Sequence, residues 1–268
     1  MSRPEVISSP ANPLLKDVRR AVARGGLTSE GLCVAESFHL LEEALRSDRE
    51  VKTVLASESV RSAVEAHVRG LPGTRVAVLP DKLFQAVAGT ETTQGVIALV
   101  RPAAWNIEQL FRGASLVMVL DGLQDPGNAG AICRAAEAFG ATGVLFVKGS
   151  ASPFHPKTVR ASAGSLFRVP FVWGVDGALA RAALQQHKLD AWAGVPARKG
   201  SPAKRLDQVD FTRRCALVIG SEAHGVGVEL RSAAMELFIP TVGVESLNAA
   251  VAAGILLYEA RRQRSLAP

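Results

Sequence analysis

Short aliphatic runs alternate with segments of helical period along nearly the whole chain, and this alternation limits its possible folds more than any other feature. Runs of four to six apolar residues bounded by glycine or proline read as strands buried on both faces, with helices as the connections between them. In the first hundred residues, runs at 32–36, 51–56, 75–79 and 95–100 alternate with helices predicted over 14–22, 38–47, 60–69 and 81–88. Ser37 stands where the second helix needs a cap, and Gly25-Gly26 ends the first. Further runs at 116–120, 143–147, 170–173, 189–194 and 216–220 alternate with helices predicted over 128–139, 157–165, 179–187 and 228–236. The fold class is therefore α/β, with helices on both faces of its sheets. Pro102 interrupts the series, so the expected organisation is a domain over 1–103, a linker over 104–113 and a domain over 114–268.

The last of these segments, 238–262, is the most informative. A short strand stops at Pro240, a turn holds Gly243, and polar Glu245, Ser246 and Asn248 stand where a helix should begin. From Ala249 to Tyr258 almost every residue is apolar, which predicts a helix buried on most faces. Arg261, Arg262 and Arg264 then suit its C-terminal end. Polar side chains and free backbone amides at the mouth of a buried helix make a natural place for a polar ligand.

Charge and cysteine usage narrow the function classes. The net charge is +6, with a balance of +1 over residues 1–103 and +5 over 104–268, which fits a polyanionic partner. No apolar run reaches membrane-spanning length and the N-terminus has no signal-peptide core, so no membrane partner is expected. Cys33, Cys133 and Cys215 form no CxxC pair; a disulfide framework and a structural zinc are not expected, and the cytoplasm is the default compartment.

Three constellations carry chemistry. In the first, a strand runs through a Gly/Pro/Asp loop into a helix that Asn128 is placed to cap. Gly127 and Gly130 permit close backbone approach, and Arg134 follows one and a half turns on. A packing arginine paired with Asp121 or Asp125 is the plain alternative. The loop is not G-x-G-x-x-G, and no acid closes the next strand at the dinucleotide-binding spacing. The second constellation is a buried strand entering Gly220-Ser221-Glu222-Ala223-His224-Gly225, a glycine-framed edge suited to a ligand. His224 has no second metal-type ligand at the right spacing and reads as a surface residue. The third is the 238–262 segment, where Ser246 lacks the G-x-S-x-G elbow of a hydrolase nucleophile and reads as a helix cap.

In order, Asn128-x-Gly130-x-x-x-Arg134, Gly220-x-Glu222-x-x-Gly225 and Ile239-Pro with Ser246-Leu-Asn248 resemble the three motifs of SpoU-type RNA ribose methyltransferases, members of the SPOUT superfamily. His155-Pro-Lys-Thr-Val-Arg-Ala-Ser-Ala-Gly164, between the first two, is similar to a further segment of that family. Asn12-Pro-Leu-Leu-Lys16, Val34-Ala-Glu36 and Thr92-Thr-Gln-Gly-Val96 resemble its ribosomal-protein-like substrate-binding domain. Two positions depart: Glu36-Ser37 stands for the usual Glu-Gly, and Ala249-Ala250 for a frequent Val-Ser.

The resemblance implies a C-terminal domain tied in a deep trefoil knot, binding S-adenosylmethionine and pairing as a homodimer. Gly220, Ser221, Gly225, Ile239 and Leu247 are then the expected cofactor contacts, and Arg134, Asn128, Glu222, Ser246 and Asn248 the catalytic set. The implied reaction methylates a ribose 2′-hydroxyl of structured RNA, and the separate N-terminal domain favours ribosomal over transfer RNA. A guanidinium holds its proton too tightly for a simple base, so Arg134 is read as stabilising the developing alkoxide, kept charged by a nearby Glu222. The competing class is a non-catalytic RNA- or ribosome-binding protein on the same scaffold.

Overall fold

The computed structural model describes residues 4–71, 73–197 and 201–266. The chain forms two units, Met1–Ala104 with Phe154–Phe167, and Trp105–Pro153 with Arg168–Pro268. The first contains β1 (Glu5–Val6), α1 (Pro13–Arg24), β2 (Cys33–Glu36), α2 (Phe38–Arg46), β3 (Val51–Ser57), α3 (Arg61–His67), β4 (Arg75–Leu79), α4 (Asp81–Gln85) and β5 (Val96–Val100). In the second follow α5 (Ile107–Leu110), β6 (Leu116–Asp121), α6 (Pro126–Ala138) and β7 (Gly143–Val147). Helix α7 (Pro156–Ala161) belongs to the first unit. The second then continues through β8 (Phe171–Val175), α8 (Gly177–Gln186), β9 (Asp190–Gly194) and β10 (Lys204–Arg205). It closes with β11 (Cys215–Gly220), α9 (Val228–Arg231), β12 (Met235–Phe238) and α10 (Ala249–Leu266).

The first unit is built on a five-stranded sheet of order β1-β4-β3-β5-β2, with β5 antiparallel to both neighbours. Helix α1 starts because Pro13 supplies a preset φ and the Asn12 side chain accepts from Leu14 N at 2.9 Å. It ends where Gly25 turns left-handed at φ 62°. Between these, Leu15, Val18 and Ala21 bury one face in a core with Val34, Leu55, Leu79, Phe84 and Ile97. Ser37 caps α2 as expected, its Oγ accepting from Leu40 N at 3.1 Å. Its φ of 151° is a backbone that favours glycine, so the hydroxyl's bond offsets some local strain. The segment 154–167, which the sequence boundaries assign to the C-terminal domain, packs in this unit through α7 on β2. Buried Glu36 fixes it, accepting from Gly89 N (3.0 Å), Thr90 Oγ1 and Arg160 Nη1 (3.4 Å).

The second unit is a seven-stranded, all-parallel sheet of order β10-β12-β9-β11-β6-β7-β8. Parallel strands need cover on both faces, and the unbroken apolar runs of β6, β7 and β11 are buried throughout. Leu110 of α5, Ala180 and Leu184 of α8 and Leu230 of α9 pack on Val117, Val119, Ala216 and Val218. Helix α10 packs against α6 and β11.

Two expectations for this unit are corrected. The helix predicted over 228–236 is only the single turn α9, because Met235–Phe238 joins the sheet as β12 beside β9 and buries Leu237 completely. Helix α10 is not buried on most faces: Ala253, Leu256, Leu257 and Ala260 are, whereas Val251 and Tyr258 are half exposed. The sequence Arg198-Lys-Gly-Ser-Pro-Ala-Lys-Arg205 reads as a basic loop; its residues 198–200 lie outside the described residues, and Lys204–Arg205 form β10.

The C-terminal turn of α10 does more than complement the helix dipole. Arg264 donates to the carbonyls of Phe211 (2.8 Å), Arg213 (2.7 Å), Ser115 (3.0 Å) and Ala114. Gln263 donates to Val209 O (2.9 Å) and accepts from Phe211 N (2.7 Å). Arg264→Ala removes a charged donor from several carbonyls at once and is expected to cost about 3 kcal/mol of unfolding free energy in a urea titration. An unchanged midpoint would deny the clasp its structural role.

Candidate active site

Ligand sites in parallel α/β sheets form beyond the carboxyl ends of the strands, where neighbouring loops part. The loops after β9, β11 and β12 enclose such a cleft here, of about 870 Å³. Ile219, Leu237 and Leu256 give it apolar walls, and Ser221, Glu222, His224, Glu245, Ser246 and Asn248 give it polar ones. All five expected cofactor contacts (Gly220, Ser221, Gly225, Ile239 and Leu247) line it. Glu245, without a role in the sequence reading, lines it too. Arg231, ion-paired to Glu236 at 2.7 Å, is the only lysine or arginine among the described lining residues.

The wall after β11 is held in a tight loop. Ser221 N donates to Gly225 O at 3.0 Å, Gly225 N to Ser221 O at 2.9 Å, and His224 N to Ser221 Oγ at 3.0 Å. Gly225 sits at φ 70°, and a Cβ on Gly220 would lie 2.0 Å from the Gly225 carbonyl carbon. Gly220 is thus required by close backbone approach, and Gly225 is favoured by its left-handed backbone.

The three motif segments meet through Asn128. Helix α6 begins two residues earlier than expected, with Pro126 in its first turn and Asp125 as cap, its Oδ1 accepting from Asn128 N at 2.7 Å. Asn128 is therefore not the cap, and its carboxamide is free to bridge. Its Nδ2 donates to Glu222 Oε1 at 2.8 Å, and its Oδ1 accepts from Asn248 Nδ2 at 3.0 Å. Asn248 also caps α10, its Oδ1 accepting from Ala250 N (2.9 Å) and Val251 N (3.2 Å). The cap role expected of Ser246 is filled by Asn248, and Ser246 is an exposed residue of the cleft wall.

Arg134 lies on α6, six positions beyond Asn128, and is exposed. Among the described residues it has no hydrogen bond or ion pair, so its expected pairing with Glu222 is not formed. Nor is the alternative pairing with Asp121 or Asp125: Asp121 accepts from Gly227 N at 2.6 Å, and Asp125 caps α6. The guanidinium faces solvent with its donors uncommitted.

Asp121 ends β6 beside Gly220 and is half-buried. Desolvation raises its pKa above 3.8, the Gly227 amide opposes this, and the charge of Glu229 adds to the rise. The fold therefore favours the protonated carboxyl; that contribution is complete below the unfolded value and is lost as pH rises through the folded one. The stability of Asp121→Asn relative to the native chain should accordingly grow as pH rises from about 4. Urea titrations across pH 4 to 7 would read this as a widening gap in midpoint, and a gap independent of pH would contradict it. The thiols are inert by contrast: burial pushes Cys33 and Cys133 up to about 12 and Cys215 to about 11.

Residues 115–258 match the SpoU rRNA Methylase family. The chain belongs to that family. Residues 12–98 match the MRM3-like substrate binding domain. Over 263 residues the chain is 32% identical to the 23S rRNA (guanosine(2553)-2′-O)-methyltransferase RlmP of Bacillus subtilis, covering 95% of this chain and 98% of that one. Over 233 residues it is 33% identical to the 23S rRNA (guanosine-2′-O-)-methyltransferase RlmB of Ralstonia nicotianae, covering 84% and 88%. The AdoMet-bound rRNA methyltransferase from Sinorhizobium meliloti aligns with a TM-score of 0.81 at 26% identity, over 98% of this chain and 99% of that one. In this SpoU family member, Gly194, Leu237 and Leu256 are cleft residues that motif reading missed. Only Gly194, a glycine closing an apolar run, carried a local signal.

Proposed function

We infer that this chain transfers a methyl group from S-adenosylmethionine to a ribose 2′-hydroxyl of RNA, with ribosomal RNA as the substrate. The observation that carries this is the Asn248–Asn128–Glu222 relay, which joins three distant segments of a SpoU-family chain at the edge of one cleft. The names of the RlmP and RlmB relatives, and the bound AdoMet of the Sinorhizobium protein, support both cofactor and substrate.

The cleft suits that cofactor. Its volume, its apolar walls and the backbone exposed where Gly220 admits no side chain fit a flat heteroaromatic ring with a polar tail. Three carboxylates, Glu222, Glu236 and Glu245, against one guanidinium favour a cationic ligand. When bound, S-adenosylmethionine supplies an electrophilic methyl group on a sulfonium. Gly220, Ser221, Gly225, Ile239 and Leu247 hold the ligand, and Ile219, Leu237 and Leu256 exclude water. Asn128 and Asn248 lock Glu222 in place, and Ser246 offers a hydroxyl to the RNA. Arg134 would stabilise the charge that grows on the ribose oxygen as the O–CH3 bond forms, the S–CH3 bond breaks to leave a neutral thioether, and the hydroxyl proton passes to solvent water.

A deep trefoil knot in the second unit and pairing of two copies are part of this reading. Val251 and Tyr258, seven residues apart on α10, with Tyr258 edge-on to Phe139 at 5.8 Å, supply an apolar face for the partner copy. The compartment that goes with it is the cytoplasm. Tritium from labelled cofactor should enter ribosomal RNA and map to a 2′-O-methylated nucleotide. Transfer into transfer RNA alone would change the substrate, and RNA retention without transfer would leave a binding protein.

A further inference from the structure

In the first unit, most of the described cations are committed. Arg46 is paired with Glu43, Lys52 and Arg101 with Glu50, Arg61 with Glu65, Arg75 with Glu5 and Arg160 with Glu36. Helix α1 breaks this pattern. Lys16, Arg20 and Arg24 are exposed on it at i, i+4 and i+8, and among the described residues none has a hydrogen bond or ion pair. Their neighbour Arg19 shows the contrast, since it is tied to the carbonyls of Ala86 (3.2 Å) and Pro10 (3.3 Å). The helix's one acid, Asp17, is turned to Ser29, accepting from its N (2.9 Å) and Oγ (2.7 Å). The opposite face, Leu15, Val18 and Ala21, is sunk in the core, so α1 cannot rotate and the stripe is fixed. Charges recur along it about every 6 Å, on a rigid helix, with no acid of the same helix to neutralise them.

We propose that the Lys16–Arg20–Arg24 stripe is a docking surface for the RNA sugar–phosphate backbone. It deepens the methyltransferase reading and rests on it, because RNA is the polyanion that reading supplies. Free cations in helical register neutralise phosphates without reading bases, so the stripe positions the substrate and leaves the choice of nucleotide to the cleft. The other described cations of this unit left unpartnered are Arg69, in the turn after α3, and Lys82, on α4, and they share no helix with each other or with the stripe.

The test uses the full chain and a protein-free 23S ribosomal RNA transcript, with binding followed from about 50 to about 200 mM salt. In Lys16→Gln/Arg20→Gln/Arg24→Gln the slope of log affinity against log salt should shrink by about 2 to 3, and affinity at low salt should fall by more than about tenfold. Each single replacement should lower the slope by about one. Arg69→Gln/Lys82→Gln should leave it unchanged. S-adenosylmethionine affinity, read by calorimetry, should be the same in every variant, which separates the effect from misfolding. An unchanged slope in the triple variant, as expected if the stripe serves an acidic protein, overturns the proposal, as does an equal loss in the Arg69/Lys82 control. A native chain that transfers no methyl group to any RNA removes the parent reading instead, so the two fail separately.

Discussion

Arg134→Ala is expected to lower methyl transfer by about 10³-fold while leaving S-adenosylmethionine affinity and the unfolding midpoint unchanged. The reasons lie in what the side chain lacks. Arg134 is exposed on α6 and has no hydrogen bond or ion pair among the described residues, so its loss breaks no contact of the fold. It is not part of the cleft wall formed by Gly220, Ile239 and Leu247, so the cofactor does not depend on it. Its place on the helix that also carries Asn128 leaves a planar, five-donor cation free for a group that arrives from solution. Arg134→Lys should recover only part of the rate, because an ammonium offers charge without the flat fork. Single-turnover transfer from labelled cofactor measures both. Full activity in Arg134→Ala would remove the residue from the reaction, and full activity in Arg134→Lys would remove the need for guanidinium geometry.

The residues of this site were legible because each sits at a strand-to-helix junction whose local chemistry is short-range. Apolar runs ending at Asp121 and Gly220, and polar residues before the helix at Ala249, point to the same edge of a parallel sheet. Which group bonds to which was not legible. Asp125-Pro126 is a stronger helix start than Asn128, and once it sets the first turn, Asn128 is released to reach Glu222, 94 residues away. The strand Met235–Phe238 is too short for its alternation to stand out from the helical pattern before it, and only its pairing with β9 decides the matter. Arg264 reads locally as a helix-end charge, whereas its partners are carbonyls up to 150 residues distant. The packing of 154–167 on β2 rests likewise on Glu36 and Arg160, 124 residues apart.

Gly220→Ala is expected to reduce S-adenosylmethionine affinity by about 30- to 100-fold, the equivalent of the roughly 2 to 3 kcal/mol that an overpacked position costs. The obstacle is steric and admits little relaxation. The added Cβ would meet Gly225 C at 2.0 Å, Gly225 O at 2.2 Å and Val226 N at 2.2 Å, all backbone atoms that cannot swing aside as a side chain would. Residue 220 itself is anchored, since β11 runs parallel between β6 and β9 and Gly220 is in register with Asp121. The strain must therefore push out the 221–225 loop. That breaks the Ser221–Gly225 pairing, shifts Ser221 and Gly225 in the cleft wall and draws Glu222 from Asn128. Unfolding stability should fall by about 2 to 3 kcal/mol, as for an overpacked core position. Gly225→Ala is the control: a Cβ there meets nothing within 4 Å, and its φ of 70° costs only about 1 to 2 kcal/mol. Calorimetric titration of both variants should rank Gly220→Ala as far more damaging to cofactor binding. Equal losses would mean that backbone strain in the loop, and not the close approach at Gly220, shapes the cleft.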